Sequence, residues 1–152
     1  MPAIPVVTKT GPRTHVPAVG ELILGGNVVE ARAGGRIGRA AAGSTTVLGV
    51  AITDARSPED VNAALNTGTV VDGRPVVNAA PLPVNVGVVY AGQEAPVVFA
   101  AACAFGQLVI AAAGGQVTPA GVAPDVRTIV GRCVAPSGVA AAGQVGLVRL
   151  GL

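Results

Sequence analysis

The chain has no tryptophan, one tyrosine (Tyr90), two phenylalanines (Phe99 and Phe105), one lysine (Lys9) and one histidine (His15). Pockets and binding hot spots draw on large aromatic and basic side chains, so this scarcity argues against a conventional enzyme and against a protein that stacks nucleobases on its rings. Charge is scarce as well: 12% of the 152 residues are charged, 51% are apolar, and the formal net charge is +2. Disordered chains combine low hydrophobicity with high charge, and this composition is the opposite. It leaves few charges to coat a free monomer, so copies of the chain or a partner are expected to cover much of the surface. A net charge this small implies neither a nucleic-acid partner nor an anionic membrane.

Cys103 and Cys133 stand 30 positions apart with no CxxC, and His15 is far from both, so the ligands of a zinc site are missing and no metal or cofactor is expected. They read as buried reduced thiols. A disulfide would need their strands to be neighbours, and the sequence supplies no secretory context to favour one. The first 14 residues contain Pro2, Pro5 and Pro12 and no apolar core of signal-peptide length; the chain is expected to begin as an extended arm.

What is abundant is alanine (28), valine (28) and glycine (22). The uncharged run from Ala95 to Pro124 has the length of a membrane span. Gly106-Gln107 interrupts it, and PVVFAAAC and QLVIAAA each have strand length with β-branched residues, so strands are expected there. Further short apolar segments fall at 21–24, 28–31, 36–40, 46–53, 69–71, 74–78, 84–90, 116–119, 128–135 and 143–150, divided by Gly, Pro, Asn and Asp. Asp72-Gly73 between TVV and RPVV is the strongest hairpin signal. The fold expected is one mainly β domain, a small β-barrel over residues 18–152 with an N-terminal arm over 1–17. One short helix is predicted at SPEDVNAALN. Ser57 caps it, Pro58 opens it, Glu59 and Asp60 sit at its positive end, and Val61, Ala64 and Leu65 form the apolar stripe.

The remaining polar residues have ordinary explanations. Arg32, Arg36 and Arg39 could meet acidic groups or phosphate, but on a strand and its turn they read better as solvated edge charges. GGRIGR lacks the Lys-Ser/Thr of a phosphate-binding loop and reads as a turn. The Glu59/Asp60 pair belongs to the helix start and the Asp54/Asp72 pair to turns, so no catalytic residue is assigned. His15 reads as a polar surface residue. Tyr90, Phe99 and Phe105 are the candidate anchors of a core or a subunit interface.

The chain also repeats itself. Gly20-Glu-Leu-Ile-Leu, Gly35-Arg-Ile-Gly-Arg-Ala and Thr46-Val-Leu-Gly-Val-Ala recur as Gly106-Gln-Leu-Val-Ile, Gly115-Gln-Val-Thr-Pro-Ala and Thr128-Ile-Val-Gly-Arg-Cys-Val-Ala. The marker glycines are 15 and 14 residues apart in the first copy and 9 and 16 in the second, which implies loop insertions. The central Gly49 and Gly131 point to a bulge or a close backbone approach.

GQLVIAAAGGQVTPAG, TIVGRCVAPSGVAAAGQVGLVRL and the earlier GRIGRAAAGSTTVLGVAITDA resemble the small capsid decoration, or head-stabilising, proteins of tailed bacteriophages. The likeness covers roughly residues 20–55 and 90–152. It implies a β-tulip-like barrel on the outside of the capsid, assembled in the host cytoplasm, homotrimeric, bound to the major capsid protein and stabilising its lattice without catalysis. A Pro-rich arm suits addition to a partner's sheet edge, so Ala3, Ile4, Val6, Val7, Thr8, Arg13 and Val16 are the candidate capsid contacts. The alternatives are another virion β-domain, such as a tail or fibre-attachment component, and a small membrane protein using residues 95–124.

Overall fold

The computed structural model of the chain describes residues 11–61, 69–71, 74–76 and 83–151. Its strands are β1 (Arg13–His15), β2 (Leu22–Ile23), β3 (Val28–Ala31), β4 (Ile37–Arg39), β5 (Val47–Ala51), β6 (Ala55–Arg56), β7 (Thr69–Val71), β8 (Arg74–Val76), β9 (Val86–Val89), β10 (Glu94–Val98), β11 (Leu108–Ala112), β12 (Gln116–Pro119), β13 (Ile129–Cys133) and β14 (Val145–Leu150). Side chains of a strand point alternately to its two faces, and β14 follows this residue by residue, with Gly146, Val148 and Leu150 buried and Val145, Leu147 and Arg149 exposed. The mainly β expectation holds. The uncharged run forms β10, β11 and β12 rather than a membrane helix, and among the described residues no helix is long and apolar enough to span a bilayer.

Two five-stranded sheets carry the fold, in the orders β1-β9-β5-β3-β4 and β10-β14-β13-β11-β12. They are the same sheet built twice. Val28 faces Val50 and Val50 faces Val89 in the first; Leu108 faces Arg132 and Arg132 faces Arg149 in the second. Each has one register shift, after Val29 and after Val109. Each has an Ala-Gly-Gly turn between its last two strands in that order, β3 and β4 or β11 and β12, with φ +71° at Gly34 and +73° at Gly114, a region glycine enters without strain. A Cβ on Gly49 would lie 2.0 Å from the carbonyl oxygen of Val89, and one on Gly131 would lie 2.1 Å from that of Arg149. Both positions are therefore glycine for the close approach.

The structure corrects the register of the repeat. The turn before β11 at Gly106 matches Gly26, not Gly20, for both glycines adopt positive φ and open the equivalent strand. Gly26 to Gly35 and Gly106 to Gly115 then span nine residues each, and the apparent insertion disappears. The insertion lies elsewhere. Between β5 and β9 the first copy carries β6, a helical turn over 58–61 and the β7–β8 hairpin, where the second has only 134–144 between β13 and β14. The helix starts as its sequence predicts: the Ser57 hydroxyl accepts from the Asp60 N–H at 3.2 Å and donates to the Asp60 carboxylate at 2.6 Å. The stripe residues Ala64 and Leu65, and the Asp72-Gly73 turn, lie outside the described residues, although Val71 and Arg74 pair as a two-residue hairpin requires.

Neither sheet closes into a barrel, which corrects the barrel expectation. The two edges of each sheet touch at a single parallel bridge, Pro17 to Ile37 in the first and Phe99 to Val117 in the second. Pro17 has no N–H to continue a ladder, and Phe99 gives its N–H to Gln144 on the other side. The arm boundary also moves. β1 pairs with β9, and Pro17 is buried, so residues 13–17 are built into the first sheet.

Each sheet encloses its own apolar layer. Ile23, Val29, Ile37, Ala51, Ala55 and Val88 fill the first; Cys103, Val109, Val117, Cys133, Val139 and Val148 fill the second at the matching positions. Where the first copy has Val86, the second has Gly146, and the freed space is taken by Val139 and Phe99, which lie 2.4 and 3.0 Å from where a Cβ on Gly146 would be. The halves then stack. Val28, Val50 and Val89 point off the outer face of the first sheet into the second half's cluster, each fully buried valine contributing about 1.5–3 kcal/mol. Backbone bonds from Val98 to Gly26, Gly43 to Ala111 and Gly115 to Ala40 cross the junction.

Candidate docking surface

The candidate capsid contacts fall into two groups. Ala3, Ile4, Val6, Val7 and Thr8 lie outside the described residues. Arg13 and Val16 do not hang free: Arg13 is an exposed residue of β1 opposite Val88, and Val16 is half-buried with its carbonyl accepting from Ile37. The Arg13 guanidinium lies 5.8 Å from the centre of the Tyr90 ring. His15 hydrogen-bonds through Nε2 to the Tyr90 hydroxyl, so the residue that reads in sequence as a polar surface group is the polar partner of the only tyrosine. At the matching positions of the second half stand Val97 and Leu150, both buried.

The three aromatic candidates separate. Phe99 is fully buried and Tyr90 packs on the first core layer. Phe105 is 64% exposed, so of its two readings, core anchor or subunit-interface anchor, the first is corrected. It sits in the tight turn ahead of Gly106, where φ is +83°.

Arg32, Arg36 and Arg39 are neutralised within the fold. Arg32 meets Glu30 at 2.9 Å, Arg39 meets Glu21 at 3.3 Å, and Arg36 grips Glu59 through both oxygens at 2.8 and 2.5 Å. The Arg36 hydrogen bonds hold the Glu59 carboxyl down at about 2. Glu30 is 5% exposed and also accepts from the Ala41 N–H, so it is satisfied. Arg36 ties the β3–β4 turn to the helix start, and the three arginines are not a free basic patch.

The outer face of the second sheet differs. Across it runs the row Leu108, Arg132, Arg149 and Glu94, each facing the next on the adjacent strand. Beside that row, Pro96 faces Leu147, and Val98 faces Val145. Leu147 is 41% and Val145 62% exposed. Among the described residues, neither Arg132 nor Arg149 forms an ion pair; Arg132 donates to the Gly106 carbonyl at 2.5 Å. Sequence reasoning passed over these arginines. The signal was the strict alternation of VGLVRL, which puts Val145, Leu147 and Arg149 on one face.

Cys103 and Cys133 are both free and buried. Burial, and then the neighbouring Cys133, push the Cys103 thiol up to about 11. They occupy the core positions of Ile23 and Ala51, and so serve as small apolar residues. A shallow cleft where the halves meet is lined by Val47, Leu48, Arg127 and Ile129, with Arg127 engaged by Asp125 at 2.6 Å. Among the described residues no group of three or more His, Cys, Asp and Glu side chains converges.

No protein-family model matches the chain, and no curated protein matches it. Among solved structures it is similar to the head fiber gp8.5 N base in bacteriophage phi29, with a TM-score of 0.57 and 13% sequence identity over 92% of this chain and 94% of that chain. At that identity the likeness is one of fold, and it extends through both halves.

Proposed function

We propose that the chain is a non-enzymatic structural domain of a tailed-phage virion, mounted on the outside of the head and held there by the major capsid protein. The observation that carries this reading is the near full-length fold likeness to the head fiber base of phage phi29. The independent resemblance of its Gly-marked strands to capsid decoration proteins supports the same location. So does the face of the second sheet, where exposed Leu147 and Val145 lie beside Arg132 and Arg149, neither of which forms an ion pair among the described residues.

Two finer forms follow. As a decoration protein the chain cements the capsid lattice, acting as a homotrimer through many modest contacts summed over the shell. As a fibre base it seats a longer appendage, and the likeness to a part described as a head fiber base favours this form at least equally. Quantitative mass spectrometry of gradient-purified particles decides among the outcomes. A near one-to-one ratio to the major shell protein supports cementing, a much smaller but constant ratio supports the fibre base, and absence from particles overturns the proposal.

A further inference from the structure

We propose that the solvent face of β10-β14-β13-β11 is the docking surface, and that its occupant is an acidic, partly apolar patch on the capsid subunit. This deepens the proposed virion role and rests on it.

The argument starts from the internal repeat. In the first half the row Val28, Val50 and Val89 is an interface, buried against the second half. In the second half the same row reads Leu108, Arg132 and Arg149 and faces solvent. A face that the fold already uses for packing is thus presented again, with two valines exchanged for arginines. Like charges directly opposite on neighbouring strands destabilise a sheet, and here Arg132 and Arg149 are cross-strand partners; Glu94 stands opposite Arg149 on its other side, so two arginines face one glutamate, and neither arginine has a carboxylate in ion-pair contact among the described residues. In the first half the clustered Arg32, Arg36 and Arg39 each have a glutamate partner, and Arg13 lies over the Tyr90 ring. The charge left over on this face is complementary to carboxylates supplied from outside, which Arg binds in a planar, two-point geometry. Exposed Leu147 and Val145 adjoin the arginines and provide apolar area. Arg is among the residue types enriched at protein-binding hot spots.

The same chemistry disfavours the other occupants. A twofold contact between two copies of this face would bring Arg132 and Arg149 of both copies together with only Glu94 of each to offset them. Nucleic acid would call for a wider basic field or stacking rings, and the neighbours are Leu147, Val145 and Pro96.

The test uses the full chain and capsid shells stripped of it, with binding read by co-sedimentation. The double variant Arg132→Glu/Arg149→Glu is expected to lower apparent affinity at least about 100-fold, and Leu147→Asp to weaken it by a smaller factor. Both positions are exposed, so melting temperatures should stay near that of the parent. Arg132→Lys/Arg149→Lys should retain part of the binding. If the parent binds shells and the charge-reversed variant binds equally well, the docking face is wrong while the virion role stands. If the parent itself fails to bind, the virion role fails and this face with it. Two further results would also overturn the assignment: Leu147→Asp converting an oligomer of this chain to monomers, or a duplex DNA oligonucleotide binding in a manner lost on charge reversal.

Discussion

The two halves share strand order, register shift, turn geometry and the close-approach glycine, yet they meet the surroundings differently. The first half is the more sealed: its outer valine row is covered by the second half, Arg32, Arg36 and Arg39 are paired, and the long connection between β5 and β9 adds the helix start. The second half is open on the equivalent face, which carries Arg132, Arg149, Leu147 and Val145. A duplicated unit has two copies of every face, and stacking head to tail can bury only one of each pair. What remains exposed on the last unit must either be made polar or be given a partner. Here it is both charged and partly apolar.

The largest expected effect falls on the feature the halves share most closely. Gly49→Val and Gly131→Val each drive a side chain into a backbone carbonyl that cannot move without breaking its ladder. Each should cost at least about 3 kcal/mol, read as a fall in chemical-denaturation midpoint. A loss confined to one of them would show that the repeat is not energetically equivalent.

Next comes the row that distinguishes the halves. Val50→Arg buries an unpaired guanidinium at the junction and should cost about 3–5 kcal/mol, whereas Arg132→Val at the matching exposed site should stay within about 1 kcal/mol. Equal costs in thermal unfolding would mean that the outer face of the first sheet is not a true internal interface. The aromatic pair offers a parallel contrast. Phe99→Ala should destabilise by about 3–5 kcal/mol, while Phe105→Ala should change stability by less than about 0.5 kcal/mol.

Thiol chemistry gives a kinetic check. With both cysteines buried and the Cys103 thiol pushed up to about 11, an aromatic disulfide reagent should react only as the protein unfolds. Rapid labelling of the native chain would show that the second core layer opens readily.

The smallest effect concerns pH. Glu59 is held at about 2, below its ordinary 4.5, chiefly by its hydrogen bonds to Arg36. A lowered folded value means that the pair contributes stability above 4.5 and loses it as pH falls towards about 2. Both groups are exposed, so the effect is small. Glu59→Gln should slightly flatten the acid limb of the melting-temperature profile. Asp125, held at about 2 by Arg127, predicts the same for Asp125→Asn in the second half.

Much of this was legible in the residues. Val and Ala alternation marked the strands, Ser57-Pro58-Glu59-Asp60 marked the helix start, and Gly49 and Gly131 marked the close approaches, because each is a local consequence of period, capping or side-chain size. The sequence by itself determined a mainly β chain of two related copies with few charges to spare. Only the tertiary structure decided that Gly26 is the partner of Gly106, since glycines recur too often for matching by eye and only strand register distinguishes them. It also decided that Phe105 is exposed, that His15 meets Tyr90 across 75 positions, and that the second sheet's arginines stand unpaired. Those facts depend on which segments pack together, and long-range packing is written in no single stretch of the chain.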